Sequence, residues 1–119
     1  VKGIGIMAKP PPLQATIPAG QALSSSIDLT AQSVVMIIAP DDWSPANITF
    51  QISMDNVLFH DLFDAMGQEI LRPICVGSAV LVDPTFTQYV NYLKIRSGPR
   101  NNPISQSADR LWTFVTTPV

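Results

Sequence analysis

Residues 47–53 read NITFQIS, and Met54-Asp55-Asn56 follow directly. A strand sends successive side chains to opposite faces. Ile48, Phe50 and Ile52 therefore share one side of an extended chain, and Asn47, Thr49, Gln51 and Ser53 share the other. This clean period of two predicts a strand that is half buried and half wet. Asp55 and Asn56 supply the turn that ends it, because Asp and Asn bond to their own backbone and tolerate left-handed conformations.

The same reading extends in both directions. Eleven prolines and six glycines punctuate short apolar runs along the 119 residues, which is an all-β pattern. Strands are predicted over 13–17, 22–29 and 33–39 before the opening stretch. Residues 33–39, SVVMIIA, are apolar on both faces, so this strand is expected to be central and covered on two sides. Beyond the turn, strands are predicted over 57–63, with a bulge near His60-Asp61, and then over 68–75, 78–82, 91–97 and 110–117. In 91–97, Leu93 and Ile95 are assigned inward and Tyr92, Lys94 and Arg96 outward. A loop or short helical turn is expected at 40–45, and loops at 83–88 and 98–109. Eight or nine strands without a ten-residue helix suit a two-sheet antiparallel β-sandwich, most simply a jelly roll. Residues 13–119 form this domain. Residues 1–12 read as an extended N-terminal arm, since Pro10-Pro11-Pro12 favours a polyproline conformation.

Composition narrows the function. Hydrophobic residues make up 46% of the chain and charged residues only 13%, about half the usual share of roughly 25%. A surface so poor in charge is covered by neutral polar groups or hidden against partners. The net charge of −2 permits assembly with little repulsion. Seven basic residues against nine acidic ones, with no basic run, argue against a nucleic-acid partner. No stretch approaches the roughly 20 apolar residues of a membrane helix. The opening VKGIGIMAKPPP lacks the pattern of a signal peptide, and Asn47-Ile48-Thr49 is read as a chance match to a glycosylation sequon.

Chemistry-bearing residues are sparse. His60 is the sole histidine and has no evident nucleophile beside it. The Asp residues fall in or near turns, without the spacing of a calcium loop or an obvious pair for glycoside hydrolysis. Cys75 lies between Ile74 and Val76 and is expected to be a buried small hydrophobe. No metal, cofactor or catalytic set is assigned. Trp43 and Trp112 are expected to fill the ends of the core. The competing assignment is a sugar site, in which an exposed aromatic face works beside amide and guanidinium donors. Its aromatic would be Trp43, beside Asn47, or Tyr92, beside Arg96, with Asn102 as a further donor.

Several separated motifs add a family resemblance over residues 43–110. Trp43 to Gln51 follow W-x-x-A-x-I-T-F-Q, and Ser53 to Asp64 follow S-x-D-x-x-x-F-x-D-L-[YF]-D. Val82 to Pro84 precede Tyr92 to Gly98, which follow Y-L-[KR]-[IL]-R-S-G, and Gln106, Ala108, Asp109 and Arg110 complete Q-x-A-D-R. In this order they resemble small virion proteins of tailed bacteriophages. That pattern often has Gly after the S-x-D turn, where this chain has Asn56. The resemblance implies a jelly-roll or discoidin-like sandwich without catalytic function. It implies a decoration (cement) protein on the capsid surface, bound to the major capsid protein as a homo-oligomer, a trimer in the simplest case. Alternatively it implies a head-spike or tail-fibre module that binds host glycan. For decoration, the arm is the expected capsid-binding element, with Lys2, Lys9, Pro10, Pro11 and Pro12.

Overall fold

The structure is a computed structural model and describes residues 10–119. Eight strands form two antiparallel four-stranded sheets. In chain order they are β1 (Leu13–Ile17), β2 (Ile27–Asp28), β3 (Gln32–Ile38), β4 (Ile48–Ser53), β5 (His60–Asp61), β6 (Ala79–Leu81), β7 (Tyr92–Ser97) and β8 (Arg110–Pro118). One sheet has the order β1-β8-β3-β6 and the other β2-β7-β4-β5. Apart from the β4–β5 step, the chain crosses between sheets at every connection. This interleaving of two Greek keys is the jelly-roll arrangement expected from the strand pattern.

The alternation of NITFQIS sets up the core. Ile48 and Phe50 are fully buried, and Ile52 packs against the core from its edge. They meet Leu93 and Ile95 of β7, which share their face by register, and the ring of Phe86 stands edge-on to Phe50 at 5.0 Å. From the other sheet come Ala15 and Ile17 of β1, Val34 and Ile37 of β3, and Trp112 and Phe114 of β8. Trp43 and Trp112 meet edge to face with centroids 4.8 Å apart, and the Trp43 indole N–H donates to the Ala46 carbonyl at 3.0 Å. Both tryptophans thus fill the core.

The turn after β4 forms as its residues require. Asn56 takes a left-handed φ of 61°. The Ser53 hydroxyl oxygen accepts the Asp55 and Asn56 amides, and the Asp55 carboxylate accepts the amides of Val57 and Leu58. This wrapping also explains a correction. Residues 54–58 are consumed by the turn, so the expected strand 57–63 shrinks to His60–Asp61. Residues 68–75 form no strand at all. Only isolated bridges remain, Phe63 with Glu69 and Arg72 with Ile48. Cys75 is consequently exposed in a loop rather than buried. The expected strand 22–29 is reduced to Ile27–Asp28, with Leu23 making one bridge to Arg96.

The bulge falls in β3, not at His60-Asp61. Register against β8 shifts between Val34 and Met36, which brings both Val34 and Ile37 inward. The run SVVMIIA is therefore apolar on both sides for a different reason from the one expected. Its inward side chains line the core. Its outward ones, Met36 and Ile38, have no layer over them among the described residues, and Ile38 is exposed.

Candidate functional site

The outer face of the β2-β7-β4-β5 sheet is where a wet surface was expected. Arg96 does point to that face, yet it is 6% exposed. Its Nε donates to Thr49 Oγ1 at 3.0 Å, one terminal nitrogen to Asp61 Oδ1 at 2.7 Å, and the other to Glu69 Oε2 at 2.8 Å. The Thr49 hydroxyl in turn donates to the Gly98 carbonyl at 2.7 Å. Arg100 closes the cluster, with its side chain on Asp61 Oδ2 at 3.2 Å and its amide on Glu69 Oε1 at 3.1 Å. Segment 60–72 runs along the free side of β4. Leu62 bonds Phe50 and Arg72 bonds Ile48, while 63–69 loops out and returns. β5 presents Asp61 and the returning end of the excursion presents Glu69 to Arg96, over the Thr49 side of NITFQIS.

The electrostatics follow from this contact set. Hydrogen bonding by the Arg96 guanidinium, aided by Gln51 and Arg100 and opposed by burial, holds the Asp61 carboxyl below its ordinary range. Asp28, Asp55 and Asp83 are also held low, by hydrogen bonds from Thr30, from Leu58 and Val57, and from Thr85 respectively. Each closes a local turn. The Arg96 guanidinium has all three nitrogens engaged with protein oxygens, so the cluster works as a clamp. Leaving two carboxylates without their buried cation would cost about 3 kcal/mol.

A second network ties the loop before β8 to the loop before β4. Gln106 is buried, and its amide nitrogen donates to Ser97 Oγ at 2.9 Å. Its oxygen accepts the Ser44 amide and Arg110 Nε. Arg110 also reaches Ser44 Oγ at 2.9 Å and pairs with Asp42 at 2.9 Å. Sequence reasoning assigned Gln106 and Arg110 no role of their own. Their only signal was their place in the Q-x-A-D-R motif.

The candidate sugar site is not assembled. Trp43 is 3% exposed inside the core and has no free face. Arg96 is committed to the clamp. Asn47 and Asn102 are exposed at the end of β7 where Gly98 bonds the Asn47 carbonyl. Tyr92 is half-buried at the other end of that six-residue strand, about 17 Å away at strand rise. Of the capsid-binding set, Lys2 and Lys9 lie outside the described residues. Pro11 and Pro12 are exposed just before β1, and Pro10 is half-buried. His60 is exposed. Among the described residues, no three His, Cys, Asp or Glu side chains gather as a metal site would need.

The other sheet presents a different surface. Its strands contain one charged residue, Arg110, and that side chain is turned into the second network. Register places Leu81, Met36 and Val115 in one outward row, with Ala79, Ile38 and Thr113 in the next. Leu81 is 80% exposed and Leu111, on the same face, 47%. An antiparallel sheet with one wet face ordinarily alternates apolar-in with polar-out. Here the outward side chains are aliphatic, Thr and Gln. No family model matches the chain, and neither does any curated protein or solved structure.

Proposed function

We propose that the protein is a structural virion protein of a tailed bacteriophage, a capsid decoration protein. It binds the major capsid protein on the shell surface and acts as a homo-oligomer. One observation carries this reading: a sheet face free of charge is left uncovered by the described residues, on a frame whose buried arginines are engaged in holding it together. Surfaces that become buried at interfaces are depleted in charged residues. Contiguous exposed apolar patches of this kind mark sites of association.

The resemblance to phage virion proteins supports the same reading in a specific way. Thr49, Ser53, Asp55, Asp61, Arg96, Gly98, Gln106 and Arg110 all belong to the quoted motifs. Each is engaged in a turn or in one of the two networks. That engagement supports a reading of the motifs as the frame of a docking platform. Glycan binding is the weaker reading, because Trp43 and Arg96 are withdrawn from any surface site.

The test is co-sedimentation with heads of the encoding phage that lack this protein. Saturable binding, with heads that withstand higher temperature once decorated, is the expected result. Heads that take up no protein would overturn the reading. A chain lacking residues 1–12 is expected to fold and to bind heads more weakly. Unchanged affinity would remove the arm from the contact.

A further inference from the structure

We infer that residues 60–72 form a latched flap. They open as a unit from the edge of β4 while both sheets stay folded, and the charges gathered at Arg96 keep them shut. Opening needs no capsid, so the flap is independent of the proposed decoration role.

Three observations carry this. First, the segment takes little part in the core. Ser53 and Val82 are buried, and no residue between them is. Within 60–72, Leu62 and Ile70 are half-buried against the core, while Phe63, Met66 and Leu71 are exposed. Parts of a fold that open at low free energy are those with few buried apolar contacts. Second, the hold on β4 is thin, and the segment is bonded within itself. β5 is two residues long, Leu62 donates its amide to the Phe50 carbonyl at 3.1 Å, and Arg72 and Ile48 exchange two bonds of 2.9 Å. The Ile70 amide donates to the Leu62 carbonyl, and the Asp64 amide to the Gln68 carbonyl. These internal bonds persist when the segment swings away, so it leaves as a hairpin rather than as loose chain. Third, one guanidinium grips both arms of that hairpin. Arg96 on β7 holds Asp61 on the outgoing arm and Glu69 on the returning one, and Arg100 meets the same two carboxylates.

The latch is reversible because opening strands no charge. Asp61, Glu69, Arg96 and Arg100 all return to water when the flap lifts, so no ion stays buried without its partner. The open form also bares the Ile48 and Phe50 backbone groups along β4 and the Thr49 side of that strand. An open strand edge is a template for pairing with another chain. The closed flap is thus an autoinhibitory contact that withholds the β4 edge.

Residue-resolved hydrogen exchange by NMR on the full chain, in urea below the unfolding transition, tests this. In the wild type, the amides of Leu62 and Arg72 are expected to be at least about 100-fold less protected than those of β8. Their exchange should barely respond to urea, because the opening exposes little surface. Asp61→Asn and Glu69→Gln are each expected to speed the two flap amides about tenfold or more. Ile37→Val trims a core side chain that stays packed in the open form. It is expected to speed exchange in β8 several-fold and to leave the flap amides unchanged. Flap amides that match β8 in protection and urea response, or that follow Ile37→Val, would overturn the flap. Flap amides untouched by both carboxylate variants would overturn the latch.

Discussion

Gly98 adopts φ +84°, and a Cβ built there would stand 2.9 Å from both the Asn102 carbonyl oxygen and the Ile104 amide nitrogen. Neither atom belongs to a flexible side chain. The position also anchors the clamp, since the Gly98 carbonyl accepts the Thr49 hydroxyl that in turn accepts from Arg96. Gly20 has nearly the same φ of +80° but open space around its Cα. The two glycines separate backbone strain from steric overlap. Gly20→Ala carries only the left-handed penalty of about 1 kcal/mol. Gly98→Ala adds the overlap and is expected to cost about 3 kcal/mol. Urea denaturation of the two variants checks this, and equal losses would mean that the close approach at Gly98 relaxes freely.

Segment 60–72 is held to β4 by backbone bonds and to Arg96 by two carboxylates, and Asp61 makes the second attachment sensitive to acid. The Asp61 pKa is lowered in the fold from an ordinary value of 3.8. A lowered carboxyl contributes stability that is present above the unfolded value and is lost as pH falls through the folded one. Unfolding free energy should therefore hold steady from neutral pH to near pH 4 and decline below it. Asp28, Asp55 and Asp83 add to the same decline. Asp61→Asn should be less stable than wild type at pH 7 and lose less between pH 4 and pH 2.5, as read from denaturation midpoints at each pH. Parallel pH profiles for the two proteins would show that the Asp61 charge has no part in the attachment. Reading the sequence reached one half of this region. The alternation of NITFQIS, the Ser53-Asp55-Asn56 turn, β1, β7 and β8 were legible, because period and turn chemistry are local. The clamp was not. Arg96, Asp61 and Glu69 are far apart in sequence, and an outward-facing arginine looks the same whether solvent or a folded-back segment covers it. Residues 68–75 misled for a related reason. Their apolar content suggested a strand, while β5 and Leu62 take most of the edge of β4 and leave this segment a single bridge, Arg72 with Ile48. The buried role of Gln106 was equally hidden, since only tertiary structure brings Ser44, Ser97 and Arg110 around one amide.

The two outer faces of the sandwich divide the charge of the molecule unevenly. One carries Lys94, Arg96 and Asp61 and is roofed in part by the chain itself; the other has no charged side chain and no roof among the described residues. This asymmetry predicts how association responds to conditions. If copies meet through the uncharged face, raising NaCl from about 0.1 M to 1 M shortens the screening length from about 10 Å to 3 Å with little to screen. The dimer constant should then stay within about twofold, and ammonium sulfate should strengthen the dimer by favouring apolar burial. Burial of apolar surface also requires a negative heat-capacity change, so the association enthalpy should become more negative as temperature rises. Dilution calorimetry across salt and temperature measures all three responses. Charged loops, such as those holding Asp41, Asp42 and Arg100, would behave in the opposite way. Their association would weaken several-fold with added salt, and a charge at Leu81 would leave it unmoved. A salt-weakened dimer would therefore move the contact to the charged loops and would leave the uncharged sheet face free for the shell.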